Sequence, residues 1–367
     1  MVATAPVLSL VRAHSLWWWK FSLLVHEFGH FLAVIPLLLI GAGWAQGGRL
    51  GVVICWVNFV AILLLLRPVA QAVWIGLRLP AKLEQAFGRA TLPRTPFSWA
   101  ALPTLGAPAV PVQTREFARA GRPDALLLDF YPALSRDGPA PCVVVIHGGG
   151  WDNGDRTQLA GMNHWLARRG YAVAAVSYRL APDHIWPAQA DDIEAALAYL
   201  KQNVRELGLD PMRFVLLGRS AGGQLSTAVA YGRRDPAVRG VVALYAPQDQ
   251  VFAWRFSRED DLLGAARLLR QYLGGTPEIA SEAYTTASAY HIATSSAPPT
   301  LLIHGQNDAL VWHKQSERLH AKLNELRVPN ALVSLPWATH AFDYHLYGPS
   351  GQLTTYAIEW FLKTVTK

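Results

Sequence analysis

Beyond about residue 112 the sequence predicts an α/β domain with a mainly parallel sheet, and three observations carry that prediction. Short β-rich runs alternate with helix-like stretches. Glycine-rich turns stand directly after several of those runs. The charge and hydropathy of the first hundred residues differ so strongly from the rest that the α/β pattern has a visible beginning. The chain has 367 residues, 51% of them hydrophobic and only 16% charged, against about a quarter charged in an ordinary soluble domain. That composition excludes collagen-like, low-complexity and disordered classes.

The elements follow in order. Two apolar segments open the chain, roughly Phe21 to Ala45 and Leu50 to Leu66, with Gly47-Gly48 between them. The second is close to the roughly 17–25 residues that a spanning helix needs. Trp17, Trp18, Trp19 and Trp44 sit near the ends of the first, where indoles favour a bilayer interface. Residues 1–78 therefore read as a hairpin of two transmembrane helices, and about 17–77 as the lipid-contacting part. Residues 79–111 hold six prolines, too many for a continuous helix or central strand, and read as a linker. A protein beginning near Pro103 is accordingly expected to remain soluble with its function intact.

In residues 112–367 the expected strands are Val143–Ile146, Tyr171–Ser177, Arg213–Leu217, Gly240–Tyr245, Thr300–Ile303 and Ala331–Leu335. Helical stretches lie near Gln158–Arg169, Ala188–Leu207, Ala221–Tyr231, Gln315–Leu326 and Leu353–Val365. Such alternation argues a mainly parallel sheet covered on both faces. Residues 248–298 interrupt the rhythm and read as an insertion over the sheet's edge.

Eight basic residues against two acidic ones give residues 1–99 a net charge of +6, nearly all of the +7 of the whole chain. These bases flank apolar runs, which points to a membrane surface rather than a nucleic-acid stripe. One basic residue, Arg49, lies between the segments, whereas Arg67, Arg78, Lys82, Arg89 and Arg94 follow the second. The positive-inside bias then puts both termini and the α/β domain on the cytoplasmic side. Cys55 and Cys142 are too few and too scattered for a disulfide scaffold or a metal site.

Gly218-Arg219-Ser220-Ala221-Gly222 follows one expected strand and precedes a helix. That is the setting of a nucleophile elbow, where small flanking residues make room for an exposed serine. His147-Gly148-Gly149-Gly150-Trp151 ends another strand. Consecutive glycines suit a loop whose N–H groups approach a ligand closely. The oxyanion donors would be the N–H groups of Gly148, Gly149 and Ala221, with His147 positioning the loop. A serine needs a base and an orienting acid, in the chain order Ser, Asp/Glu, His. Asp308 and His340 each follow a strand in that order. Their rivals are His304, His313 and His345 for the base, and Asp249 and Asp343 for the acid. In the insertion, Trp254 and Leu263 are expected, with Trp151, to line a substrate pocket.

These motifs resemble the α/β-hydrolase superfamily, in particular the hormone-sensitive-lipase-like and bacterial carboxylesterases. The carriers are His147–Trp151, the stretch Ser177–Asp192, Gly218–Gly223, Tyr272–Glu278 and Pro298–Asp308. The resemblance implies an α/β-hydrolase fold over residues 112–367 and a serine carboxylester hydrolase working through an acyl-enzyme. Ser220 would be its nucleophile, Asp308 its acid and His340 its base. No metal, cofactor or nucleic acid is implied; the partners would be a small-molecule ester and membrane lipid. Arg219 stands where such proteins usually carry an acid, and Trp312 where a proline often stands. An amidase or peptidase on the same fold is the alternative reading, followed by a non-catalytic membrane protein with a hydrolase-like domain.

His26-Glu27-Phe28-Gly29-His30 is an HExxH pattern, which places two histidines on one helical face. Zinc also needs a third protein ligand. No aspartate precedes Asp124, and the second apolar segment offers only Cys55 and Asn58. The expectation is interhelical hydrogen bonding rather than a metalloprotease, with Glu27 left unexplained.

Overall fold

The computed structural model describes residues 10–118, 125–134 and 137–367. Four helices come first: α1 (Leu16–Leu32), α2 (Val34–Gln46), α3 (Gly48–Gly76) and α4 (Leu79–Phe87). The strands are β1 (Gln113–Ala118), β2 (Leu126–Tyr131), β3 (Ala140–Ile146), β4 (Ala172–Val176), β5 (Leu209–Arg219), β6 (Val238–Leu244), β7 (Thr300–Gly305) and β8 (Asn330–Leu335). Helices α5 (Gly161–Ala167), α6 (Ala188–Gln202), α7 (Val204–Leu207) and α8 (Ala221–Arg233) connect β3 through β6. Between β6 and β7 lie α9 (Gln250–Phe256), α10 (Ala265–Leu273), α11 (Ser281–Thr286) and α12 (Ala289–Ile292). Helix α13 (Lys314–Glu325) precedes β8, and α14 (Pro349–Val365) closes the chain.

Among the described residues the eight strands form one sheet in the order β1-β2-β4-β3-β5-β6-β7-β8. From β4 to β8 every pairing is parallel, while β2 runs antiparallel to both β1 and β4. The central strands carry continuous buried apolar stretches, residues 143–146 in β3, Ala172–Val176 in β4 and residues 214–217 in β5, because helices cover both faces. All six strands read from the sequence are present. The antiparallel β1 and β2 were not foreseen. Edge strand β1 is half-exposed and polar, so it lacks the apolar run that marks the others.

The N-terminal quarter differs from the expected hairpin. The first apolar segment is two helices, α1 and α2, bent by 53° at Ala33. Pro36 has no N–H to donate to Leu32, so the helix cannot continue straight through. Among the described residues, helix α3 alone is long and apolar enough to cross a membrane; α1 and α2 make a second such element only if the bent pair counts as one. The exposed apolar side chains concentrate on α2 and the first half of α3, among them Leu37, Leu38, Trp44, Leu50, Trp56 and Leu63. The second half of α3 lies against α14, where Gly76 meets Leu353.

The proline-rich stretch is not a free tether. Pro80 sits at the start of α4, where its missing N–H costs nothing. Leu79 and Leu83 of that helix are buried in the core on one face of the sheet, with Ala72 and Val110. The extended chain beyond is fastened to α14. Trp360 Nε1 donates to the Gly88 carbonyl at 3.1 Å, Tyr356 Oη to that of Pro93 at 2.8 Å, and the Ser98 N–H to Gln352 Oε1 at 2.7 Å. A cut near Pro103 would remove these contacts and uncover the face of α14 that they cover.

Leu83→Ala should lower full-length stability by about 2–5 kcal/mol, the usual cost of a leucine-to-alanine core cavity, read as a shift of the denaturant midpoint. A protein starting at Pro103 should aggregate, as light scattering would show.

Candidate active site

The carboxyl ends of β3, β5, β6, β7 and β8 converge on one cleft of about 790 Å³. Ligands bind at this edge of open parallel sheets. At the end of β5 the chain turns within one residue into α8, and Ser220 takes the strained angles φ 51 and ψ −120. The strain persists because the surroundings leave no alternative. A Cβ on Gly218 would stand 2.0 Å from the Gly222 carbonyl oxygen, and one on Gly222 would stand 2.2 Å from that of Ile146. Only glycine fits either position. The Ser220 N–H is held by the Leu244 carbonyl at 2.9 Å, which fixes the turn against β6.

Asp308 and His340 meet across the loops after β7 and β8. His340 Nδ1 lies 2.7 Å from Asp308 Oδ2, and the N–H groups of Leu310 and Val311 donate to Asp308 Oδ1 at 2.8 and 2.9 Å. His304 Nε2 is also 3.3 Å from Oδ2. Burial alone would raise the Asp308 pKa. The charges and hydrogen bonds of His340 and His304 outweigh it and hold the carboxyl well below the usual carboxylate range. Its folded value lies below its unfolded one, so this contribution to stability is present above about pH 4 and fades as the pH falls further. Ser220, Asp308 and His340 all line the cleft.

The rival residues have other partners. Asp249 is paired with Arg318 at 2.7 Å and His291 at 3.2 Å. His313 is paired with Glu317 at 3.2 Å. His345 stacks on Phe28 at 4.4 Å. His304 is an additional partner of Asp308, which adjacency in sequence could not reveal.

Gly148, Gly149 and Ala221 line the cleft with the serine. The Gly148 N–H already donates to Gln158 Oε1 at 2.9 Å, so an amide oxygen occupies one expected oxyanion donor. Gly149 has φ 117, which favours glycine, and a Cβ there would meet the Asn153 carbonyl oxygen at 2.1 Å. His147 stacks on Tyr178 at 4.2 Å and its Nδ1 lies 2.7 Å from the Gly148 carbonyl. Burial lowers its pKa, which suits a neutral ring that shapes the loop.

Trp151 and Leu263 line the cleft, but Trp254 does not: it sits edge-on to Tyr284 at 6.0 Å, in the packing beneath. Trp151 is also a structural anchor, donating to Gln224 Oε1 at 2.8 Å and stacked on Tyr272 at 4.3 Å. The 248–298 insertion lies over the cleft rather than over the sheet's edge, contributing Phe252, Phe256, Leu262, Leu268 and Leu269. Trp312 stacks on Phe252 at 5.6 Å and extends this apolar wall.

Arg219 takes its acid from elsewhere in the chain. It is almost fully buried, and its Nε lies 2.5 Å from Asp343 Oδ2, while Tyr245 Oη donates to Asp343 Oδ1 at 2.5 Å. Desolvation would lower the guanidinium pKa; Asp343 and Tyr245 reverse that and raise it. Tyr245 also packs against the His340 ring at 4.4 Å. The network ties the residue before the serine to the segment that carries the histidine.

The model of the BD-FAE family matches residues 128–323, more than half of the chain. The chain belongs to the BD-FAE family. Among curated proteins, the one named "Probable carboxylic ester hydrolase LipM" from Mycobacterium tuberculosis is 32% identical over 67% of this chain and 59% of its own length. Esterase LipC of the same organism is 30% identical over 62% of this chain and 59% of its own length. The chain thus spans about three fifths of the length of these relatives. Among solved structures, a bacterial heroin esterase superposes with a TM-score of 0.61 at 24% identity, covering 70% of this chain and 85% of that one. A hyperthermophilic esterase from Pyrobaculum calidifontis gives a TM-score of 0.59 at 25% identity, covering 71% and 86%. The fold of this BD-FAE member is the α/β-hydrolase fold.

Asp343→Ala should cost about 3–5 kcal/mol, because it leaves the Arg219 cation buried without its counter-charge. Urea unfolding of the full-length protein would read this; a change below about 1 kcal/mol would mean that water reaches the site.

Proposed function

We propose that the protein is a serine carboxylester hydrolase that works through an acyl-enzyme. The observation that carries this reading is the Asp308–His340 hydrogen bond of 2.7 Å beside a strained serine elbow in the same cleft. In the proposed reaction His340 Nε2 removes the Ser220 hydroxyl proton as Oγ attacks the ester carbonyl carbon. The carbonyl π electrons move to oxygen. Gly149 and Ala221 donate to that oxygen, and Gly148 joins them once the substrate displaces Gln158. Asp308 holds the Nδ1–H tautomer and stabilises the imidazolium. The imidazolium then protonates the departing alkoxide, and water enters by the same route in reverse to release the acid. Each oxyanion donor is worth roughly 10²–10³ in rate in the enzyme where one was removed.

The apolar lining favours esters with a lipophilic acyl or alcohol group. The exposed apolar band of α2 and the first half of α3 is far larger than a soluble monomer normally presents. We read it as the part immersed in a bilayer. Helix α2, at 13 residues, spans about 20 Å against a hydrocarbon core of about 30 Å, which suits a hairpin entering and leaving by one face. The basic residues after that band favour the cytoplasmic face for the catalytic domain. External labelling of a cysteine introduced into that domain, in intact cells, would refute this orientation.

Ser220→Ala should cut kcat on p-nitrophenyl esters by roughly 10⁴–10⁶ with the fold intact by circular dichroism; near-normal turnover would end the proposal. Matched anilides should be turned over more slowly than the esters; the opposite order would make the protein an amidase. The full-length protein should float with anionic liposomes in a density gradient, whereas Leu38→Glu with Trp56→Glu should not.

A further inference from the structure

The HExxH pattern at His26–His30 is the sequence motif that the catalytic chemistry leaves unused. Its surroundings show what it does. Helix α1 does not stand apart from the α/β domain but lies along the segment that runs from His340 to Ser350. At one level Trp19 Nε1 donates to the main-chain carbonyl of His340 at 3.1 Å. Further along, Phe28 stacks on His345 at 4.4 Å with the rings 12° apart. At the far level Glu27 Oε2 accepts the Ser350 N–H at 3.2 Å. Ser350 is in the first turn of α14, whose free N–H groups need an acceptor from outside the helix. Glu27 is thus a cap supplied from a distant part of the chain, and it is fully buried against protein. Gly348 leaves room for it: a Cβ there would stand 2.8 Å from Glu27 Oε2. Gly29 serves the other side, where a Cβ would stand 2.4 Å from the Leu65 carbonyl oxygen of α3.

The same helix reaches the cleft. Leu16, Trp19 and Leu23 line it together with Ser220 and His340, and their spacing of three and four puts them on one helical face. Phe252, Phe256, Leu263 and Trp312 line the same cleft. The apolar portion of an ester held at Ser220 would therefore meet side chains of both the insertion and α1.

We propose that α1 is a working part of the active site. Its Leu16–Trp19–Leu23 face forms the wall that selects longer apolar ester groups, and its Trp19 and Glu27–His30 contacts hold that wall in register with the segment bearing His340. Trp19 is a specificity and positioning residue rather than a catalytic one. The inference rests on the esterase reading and adds to it the element that decides chain-length preference.

The test compares kcat/KM for p-nitrophenyl decanoate and p-nitrophenyl butyrate with the full-length protein in one detergent. Trp19→Ala is expected to lower the decanoate-to-butyrate ratio about tenfold or more, because several methylenes lose their wall. Leu16→Ala, at a partly solvent-facing position whose loss does not threaten folding, should lower it about threefold. Trp19→Phe keeps the ring but deletes the bond to the His340 carbonyl; it should leave the ratio in place and lower kcat on both esters with KM unchanged. Leu38→Ala on the exposed face of α2 should leave the ratio alone. If it moves the ratio as much as Trp19→Ala does, partitioning explains the preference and the wall is overturned. An active wild type whose ratio neither Trp19→Ala nor Leu16→Ala changes overturns the wall alone. A wild type inactive on both esters overturns the esterase reading and the wall with it.

Discussion

His340 has to face Asp308 on one side and the serine's cleft on the other, and most of the molecule bears on that requirement. The residue stands on a loop after β8, with no regular element of its own to fix it. It is therefore fixed from outside. Asp308 holds Nδ1 at 2.7 Å, Tyr245 packs against the ring, and Asp343, three residues on, is clamped by Arg219 and Tyr245. From the solvent side Trp19 takes the main-chain carbonyl. Contacts from β5, β6, β7 and α1 thus converge on one short segment. A loop held at so many points has little entropy left to lose, which suits the preorganised role proposed for it.

This arrangement also accounts for two ionisable residues, Arg219 and Glu27, buried in an otherwise apolar setting. Arg219 sits next to Ser220, where a lone buried cation would be costly, and its counter-ion arrives from the loop that carries His340. Glu27 lies in an apolar helix and ends at the N-terminus of α14. Each couples an element of the site to a distant part of the chain. A buried ion pair such as Arg219–Asp343 adds little net stability compared with apolar packing; it fixes which element lies against which, as the Glu27–Ser350 hydrogen bond does for α1 and α14.

Much of this was legible in the sequence. The six strands β3 to β8, the glycine elbow and the placing of Ser220, Asp308 and His340 at strand ends follow from local pattern, because strand–turn–helix geometry needs particular residue types at fixed spacing. What was not legible depends on contacts between distant residues. The partner of Arg219 is 124 positions away and that of Glu27 is 323 away, and no spacing rule links them. The apolar opening of the chain read as a free membrane hairpin because hydropathy does not distinguish a face turned to lipid from one turned to a neighbouring domain. The burial of Leu79 and Leu83, and the bend at Ala33, both depend on the domain that α1, α3 and α4 lie against. Trp254 was misplaced for the same kind of reason: helical spacing marks an apolar face but not whether a cleft or a core lies beneath it.

The central claim is that Ser220 is activated by a histidine held by Asp308. It is tested most directly by the rate at which an alkyl fluorophosphonate modifies the full-length protein, with the adduct located by peptide mass spectrometry. The account predicts a single adduct on Ser220, formed at least about a hundredfold more slowly in both His340→Ala and Asp308→Ala. An adduct on another residue, or an undiminished rate in His340→Ala, would contradict it.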